Sequence, residues 1–182
     1  SIVQLNNHGF SLLELLVVMA IIVIVSTITA VGLNVLAEGN AKKANKTMYS
    51  KISELRTTTM SKSGEWYMVI SCQDNTYTLE THHVANGEDN IKDTSKFSAS
   101  RISLNYYNGD SSTGYDLRNN SLKIQFNKND GSCKSVKIID TEEFITDNLD
   151  SPQFGKIVAS VSRNNTYESK LWYKTGRVTT QN

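Results

Sequence analysis

The feature that most limits what this chain can fold into is an uncharged run of 23 residues, 15–37, placed almost at the front. As a helix rising ~1.5 Å per residue it is long enough to cross a hydrocarbon layer ~30 Å thick. Glu14 stands at its entrance, where a charge is costly in lipid and so implies a role. No Lys or Arg occurs before Lys42, and Glu14 is the only acid before Glu38. From Glu38 onward the 19 basic residues face 17 acidic ones, a balance too near zero to predict nucleic-acid or acidic-lipid binding by itself. The chain of 182 residues therefore reads as a membrane segment carrying a water-facing head of ordinary domain size.

Three readings of the front compete. A plain anchor tolerates Glu14 but leaves it without purpose. A secretory signal peptide calls for a basic start and no acid beside its apolar region, and residues 1–8 hold no Lys or Arg. A leader cut before the apolar run, not after it, accounts for both Glu14 and the preceding Gly9-Phe10.

The segment Gly9-Phe10-Ser11-Leu12-Leu13-Glu14-Leu15-Leu16-Val17-Val18 resembles the N-terminal signature of type IV pilins and pseudopilins. The resemblance implies that a prepilin peptidase cuts between Gly9 and Phe10. Phe10 is then N-methylated, and Glu14 becomes the fifth residue of the mature chain. It also implies a basic leader, for which His8 is the nearest candidate, and a proline within the apolar run, where this chain has Gly32. Glu14 would meet the free amine of a neighbouring Phe10 in a filament. In low dielectric that pairing sets registry and relieves the cost of either charge alone. The lysines at 42, 43 and 46 would, counted alone, place the head inside. The resemblance implies the opposite: a single-pass protein of the cytoplasmic membrane, head outside, and afterwards an extracellular or periplasmic filament.

Beyond the run, Ala37, Ala41, Ala44, Met48, Ile52 and Leu55 recur in steps of three and four, which is one helix face. The helix is expected to continue to about Met60 and stop at Gly64. From there the period becomes two. Strands are expected over 65–71, 76–80, around Ile102–Tyr106, over Leu122–Phe126, at Val136–Ile138, and as a hairpin of Ile157–Val161 with Tyr167–Tyr173. Asn127–Ser132 is expected to be a hairpin turn. Thr81–Lys96, Asn108–Asn120 and the acidic Thr141–Gly155 are expected to be loops. The fold class is α+β, a pilin-like long N-terminal helix packed on an antiparallel β-sheet head of six to eight strands. The division is residues 1–9 as a leader, 10–37 as transmembrane and filament-core helix, 38–63 as the amphipathic helix of the head, and 64–182 as the β-rich head.

Helix, Trp-containing strand, apolar-x-apolar-x-Phe strand and terminal Thr175-Gly176-Arg177-Val178 are similar in order to minor pseudopilins of the GspH/FimT type. The resemblance implies a minor pilin or pseudopilin, with other pilins as partners. Alternatives are a DNA-binding minor pilin of a competence pilus, or a pseudopilin of a type II secretion system. Some relatives take up DNA through a basic tail, which Val178–Asn182 is not. Arg163, Lys170, Lys174 and Arg177 make the last hairpin basic. A solvated sheet face and an anionic ligand are its two readings, the second requiring aromatics such as Tyr167, Trp172 or Tyr173 on the same face. Cys72 and Cys133 are either a disulfide of an exported head or two unrelated thiols. No phosphate loop, HExxH or GxSxG occurs, so no enzyme, cofactor or metal is expected. His82-His83 reads as part of a solvated loop.

Overall fold

A computed structural model describes residues 11–139, 141–145, 153–162 and 165–181, without the side chains of 27–34, 142, 143, 145 and 162. Among the described residues there is one helix, α1 (Leu12–Ser61). Eleven strands follow: β1 (Glu65–Gln73), β2 (Thr76–Ala85), β3 (Glu88–Ser98), β4 (Ser103–Asn108), β5 (Tyr115–Asp116), β6 (Leu122–Phe126), β7 (Cys133–Ile138), β8 (Glu142–Ile145), β9 (Phe154–Ser162), β10 (Asn165–Trp172) and β11 (Val178–Gln181). The contacts divide the chain into two compact units, one ending at Leu36 and the other spanning Ala37–Asn182.

In the first unit α1 opens with Ser11 as its N-cap. The Glu14 amide donates to Ser11 Oγ at 3.2 Å, and the Leu15 amide to the Ser11 carbonyl at 3.1 Å. The Glu14 carboxylate sits in the first turn, where the helix dipole favours negative charge. Among the described residues no helix is long and apolar enough to cross a membrane. The side chains of 27–34, in the middle of the uncharged run, lie outside the description.

In the second unit the periodic stripe does what its spacing demands. Ala37, Ala41, Ala44, Met48, Ile52 and Leu55 are all buried. Removing each large member from water stabilises by ~1.5–3 kcal/mol. Two buried polar groups share the stripe: Ser169 Oγ donates to Asn45 Oδ1 at 2.6 Å, and Thr59 Oγ1 donates to the Leu55 carbonyl at 2.8 Å. The helix ends as expected, with Gly64 at a positive φ.

The head holds two antiparallel sheets where one was expected, ordered β3-β2-β1-β6-β7-β8 and β11-β10-β9-β4-β5. Their inner faces meet the stripe of α1 in one core cluster that includes Met68, Ile70, Ile124, Leu104, Ile157 and Tyr173. The sheets are stitched at their ends. The Cys133 amide donates to the Tyr173 carbonyl at 2.8 Å, and the Leu104 amide to Tyr77 Oη at 3.1 Å. Single strands read from alternation cannot say which sheet they join, because register carries no sheet label.

The segment 81–96 is a correction. It is not a loop but the end of β2 and most of β3, paired from Thr76↔Ser98 to Ala85↔Glu88. Asn86 and Gly87 both take positive φ, the backbone of a two-residue hairpin turn. The alternation of β3 is hidden by a bulge at Lys92, between the partners of Thr81 and His82, which switches its faces, and by its exposed position at the sheet edge. Asn108–Asn120 likewise contains the short β5 and a buried Leu117. β8 runs through the start of the acidic segment, while its middle, 146–152, lies outside the described residues.

Candidate functional site

Gly9 and Phe10 lie outside the described residues. The element they precede is described: every large apolar side chain from Leu12 to Val25 is exposed, from 47% at Val18 to 82% at Leu12. A continuous apolar surface of that length is not a stable boundary with water and marks an interaction with lipid or protein. Glu14, also exposed, is the one charge on it and makes no ion pair among the described residues. The geometry is that of an element built to be covered, with one anion to be matched.

Residues 4–30 match the prokaryotic N-terminal methylation motif. The match supports a type IV pilin-like protein; proteins with this motif are in general processed by a prepilin peptidase and assemble with other pilins as structural subunits. It covers the front of the chain and does not reach the head. Neither the curated proteins nor the solved structures contain a significant match.

The basic hairpin is only partly one patch. Arg163 lies outside the described residues. Lys170 projects from β10 with its Nζ 3.3 Å from Glu168 Oε1, an ion pair whose geometry aligns no hydrogen bond to that oxygen. Lys174 and Arg177 are exposed in the turn before β11, where Gly176 takes a positive φ. Of the three aromatics expected on their face, two turn inward. Tyr173 is buried and joins Tyr106 and Asn108, donating to Asn108 Oδ1 at 2.7 Å. Tyr167 packs on the core and donates to Glu38 Oε1 at 3.0 Å. Trp172 remains on the outer face, with Phe154 at 5.2 Å between ring centroids. Sequence reading missed Phe154 and Tyr107 there, although each stands in the same two-residue period as the lysines and serines of its strand.

The two cysteines are both free. The disulfide expectation fails on register. Cys72 lies two residues past Ile70, which pairs with Leu122, while Cys133 pairs with Phe126 at the other end of β6. Six residues of strand separate those levels, roughly 20 Å, against the ~7 Å limit for Cα atoms of a bridge. Burial raises the pKa of both thiols, most at Cys133.

His82 and His83 are not in a loop but on β2, facing opposite ways. His83 stacks on Trp66 at 4.1 Å and donates from Nε2 to the Ser63 carbonyl at 3.0 Å, closing the end of α1. His82 stacks on Tyr67 at 4.6 Å and bonds Asp89 through Nδ1 at 3.1 Å. Tyr67 also donates to Asp89, and burial with that carboxylate pushes its pKa up to about 12. No cluster of three metal-ligating side chains occurs among the described residues. Asn127–Ser132 is a turn, as its composition predicts. Asp130 Oδ1 accepts from the Ser132 amide and hydroxyl, which holds its carboxyl below the usual range.

Proposed function

We propose that this chain is a structural subunit of a type IV pilus-like filament, a minor pilin or pseudopilin. The observation that carries the reading is the methylation motif over 4–30, which runs into a helix whose apolar side chains are uncovered on every described turn to Val25. Residues 1–9 are the leader. A prepilin peptidase cuts between Gly9 and Phe10, and Phe10 is methylated. Residues 10–37 hold the chain in the cytoplasmic membrane and then form the filament core. Residues 38–63 and 64–182 make the exported head. In the filament Glu14 pairs with the amine of a neighbouring Phe10, which compensates two charges in low dielectric and sets the stagger of subunits.

The assignment to the GspH/FimT type is supported by the helix spine, the Trp66 strand and the terminal Gly176-Arg177-Val178. Mass spectrometry after co-expression with a prepilin peptidase tests the processing. The mature chain should begin at Phe10 and carry one added methyl group. A chain that keeps residues upstream of Phe10 would refute it. Glu14→Ala should leave membrane insertion intact and abolish filament incorporation, read by shearing and immunoblot.

A further inference from the structure

The near-zero charge of the head hides how charge is distributed along α1. Residues 15–37 carry none, and Lys42, Lys43 and Lys46 follow within nine positions of Ala37. At ~100° of helix per residue the three fall within an arc of ~100°, centred opposite the buried stripe of Ala41, Ala44 and Met48. All three are exposed, and none forms an ion pair among the described residues. Lys51, on the same helix, is the contrast: Glu54 holds it at 3.0 Å and Asp93 at 2.9 Å. Glu38 is the one acid between Glu14 and Glu54, and its Oε1 accepts from Tyr167 on β10 at 3.0 Å. The carboxylate nearest the lysines in sequence is thus engaged by the head.

Three uncompensated cations on one face call for an anionic counterpart, and their place in the chain names it. From Ala37 the helix rises ~7 Å to Lys42 and ~14 Å to Lys46. The polar layer of a bilayer outside its hydrocarbon is ~5–7 Å thick, and its surface charge acts over a further ~8 Å at physiological salt. With residues 10–37 in the membrane, all three lysines stand within that range. Their flexible stems can lie back along the helix while each ammonium reaches a phosphate. A nucleic acid on the same face would run beside the bilayer, against repulsion from its anionic headgroups.

We propose that the Lys42, Lys43 and Lys46 face of α1 binds the phosphates of anionic phospholipids, in the leaflet on the side of the head. The proposal rests on the reading of residues 10–37 as a membrane segment. It is tested on the full chain in non-ionic detergent, titrated with phosphatidylglycerol or with phosphatidylcholine of the same acyl chains. Native mass spectrometry counts the bound lipid. Phosphatidylglycerol should be retained over phosphatidylcholine by about fivefold or more, and by less at high ionic strength. Replacing Lys42, Lys43 and Lys46 together by Gln should abolish the preference, and replacing them by Arg should keep it. Lys92→Gln, Lys96→Gln and Lys128→Gln combined remove the same charge from exposed sites elsewhere on the head and should also leave the preference intact. Equal retention of the two lipids overturns the proposal alone, as does a preference that survives the Gln replacements at 42, 43 and 46. A chain that stays dispersed without detergent and retains neither lipid refutes the membrane segment, and the proposal with it. A thymidine oligonucleotide that displaces phosphatidylglycerol from these lysines overturns the proposal in favour of nucleic acid.

Discussion

Gly155 shows how one residue can set the packing of a core. It sits on β9 facing inward, and a Cβ there would overlap the hydroxyls of both Tyr106 and Tyr173. Those tyrosines are hydrogen-bonded to each other and, through Tyr173, to Asn108. The glycine is required by close approach and not by a positive φ. Gly155→Ala should cost ~1–3 kcal/mol and lower the melting temperature by several degrees. Gly39, in α1 with nothing near its Cβ position, is the control: Gly39→Ala should stabilise by ~0.5–1 kcal/mol. The tyrosine pair also sets a pH limit. Burial first, and then the neighbouring hydroxyl, raise the Tyr106 pKa well above the ordinary value; burial raises Tyr173 as well. In the unfolded chain both ionise near pH 10, so the folded state keeps protons that the unfolded state loses. Their contribution is present below about pH 10 and is lost as pH rises through the folded values. Urea midpoints measured from pH 8 to 11.5 should fall above 10, and less steeply in Tyr106→Phe; an unchanged slope in that variant would refute the assignment.

At the scale of elements, α1 is tied to the head by more than its stripe. Arg56 Nε donates to the carbonyls of Gly131, at 3.0 Å, and Thr175, at 3.1 Å. One guanidinium thus holds the β6–β7 turn and the turn before β11 together, and a Cβ at Gly131 or Gly176 would crowd it. Lys51 reaches Asp93 on β3 at 2.9 Å, an ion pair that raises the lysine's pKa through hydrogen bonds to Asp93 and Glu54. Arg56→Met keeps the length of the side chain but leaves two carbonyls without their donor. It should cost ~1–3 kcal/mol in urea denaturation, and Lys51→Met, at a partly exposed pair, under ~1 kcal/mol. Equal effects would refute the bridging role of Arg56. The stripe and the end of α1 were legible because 3.6-residue periodicity is local. The Asn86-Gly87 turn is itself a local signal, but the edge strand beside it is polar on both faces and carries no alternation to mark a hairpin.

For the whole molecule, the division after Leu36 predicts that a chain beginning at Ala37 folds alone. It should unfold cooperatively without detergent, at the melting temperature of the full chain within a few degrees; loss of cooperativity would refute it. The sequence by itself determined the front: the methylation motif over residues 4–30 is a matter of spacing along the chain, and Glu14 with the apolar run lies on one helix, so neither needs a tertiary contact to be read. It likewise determined the buried face of α1 and most strands, since periods of 3.6 and 2 follow from local backbone geometry. Only the tertiary structure decided that the strands divide between two sheets and that Cys72 and Cys133 stand too far apart to bond. Only it decided that Tyr173 turns inward while Trp172, Phe154 and Tyr107 share the outer face. Those outcomes depend on which strands pair and in what register, with partners as far apart in sequence as Tyr67 and Gln125, which local pattern does not encode.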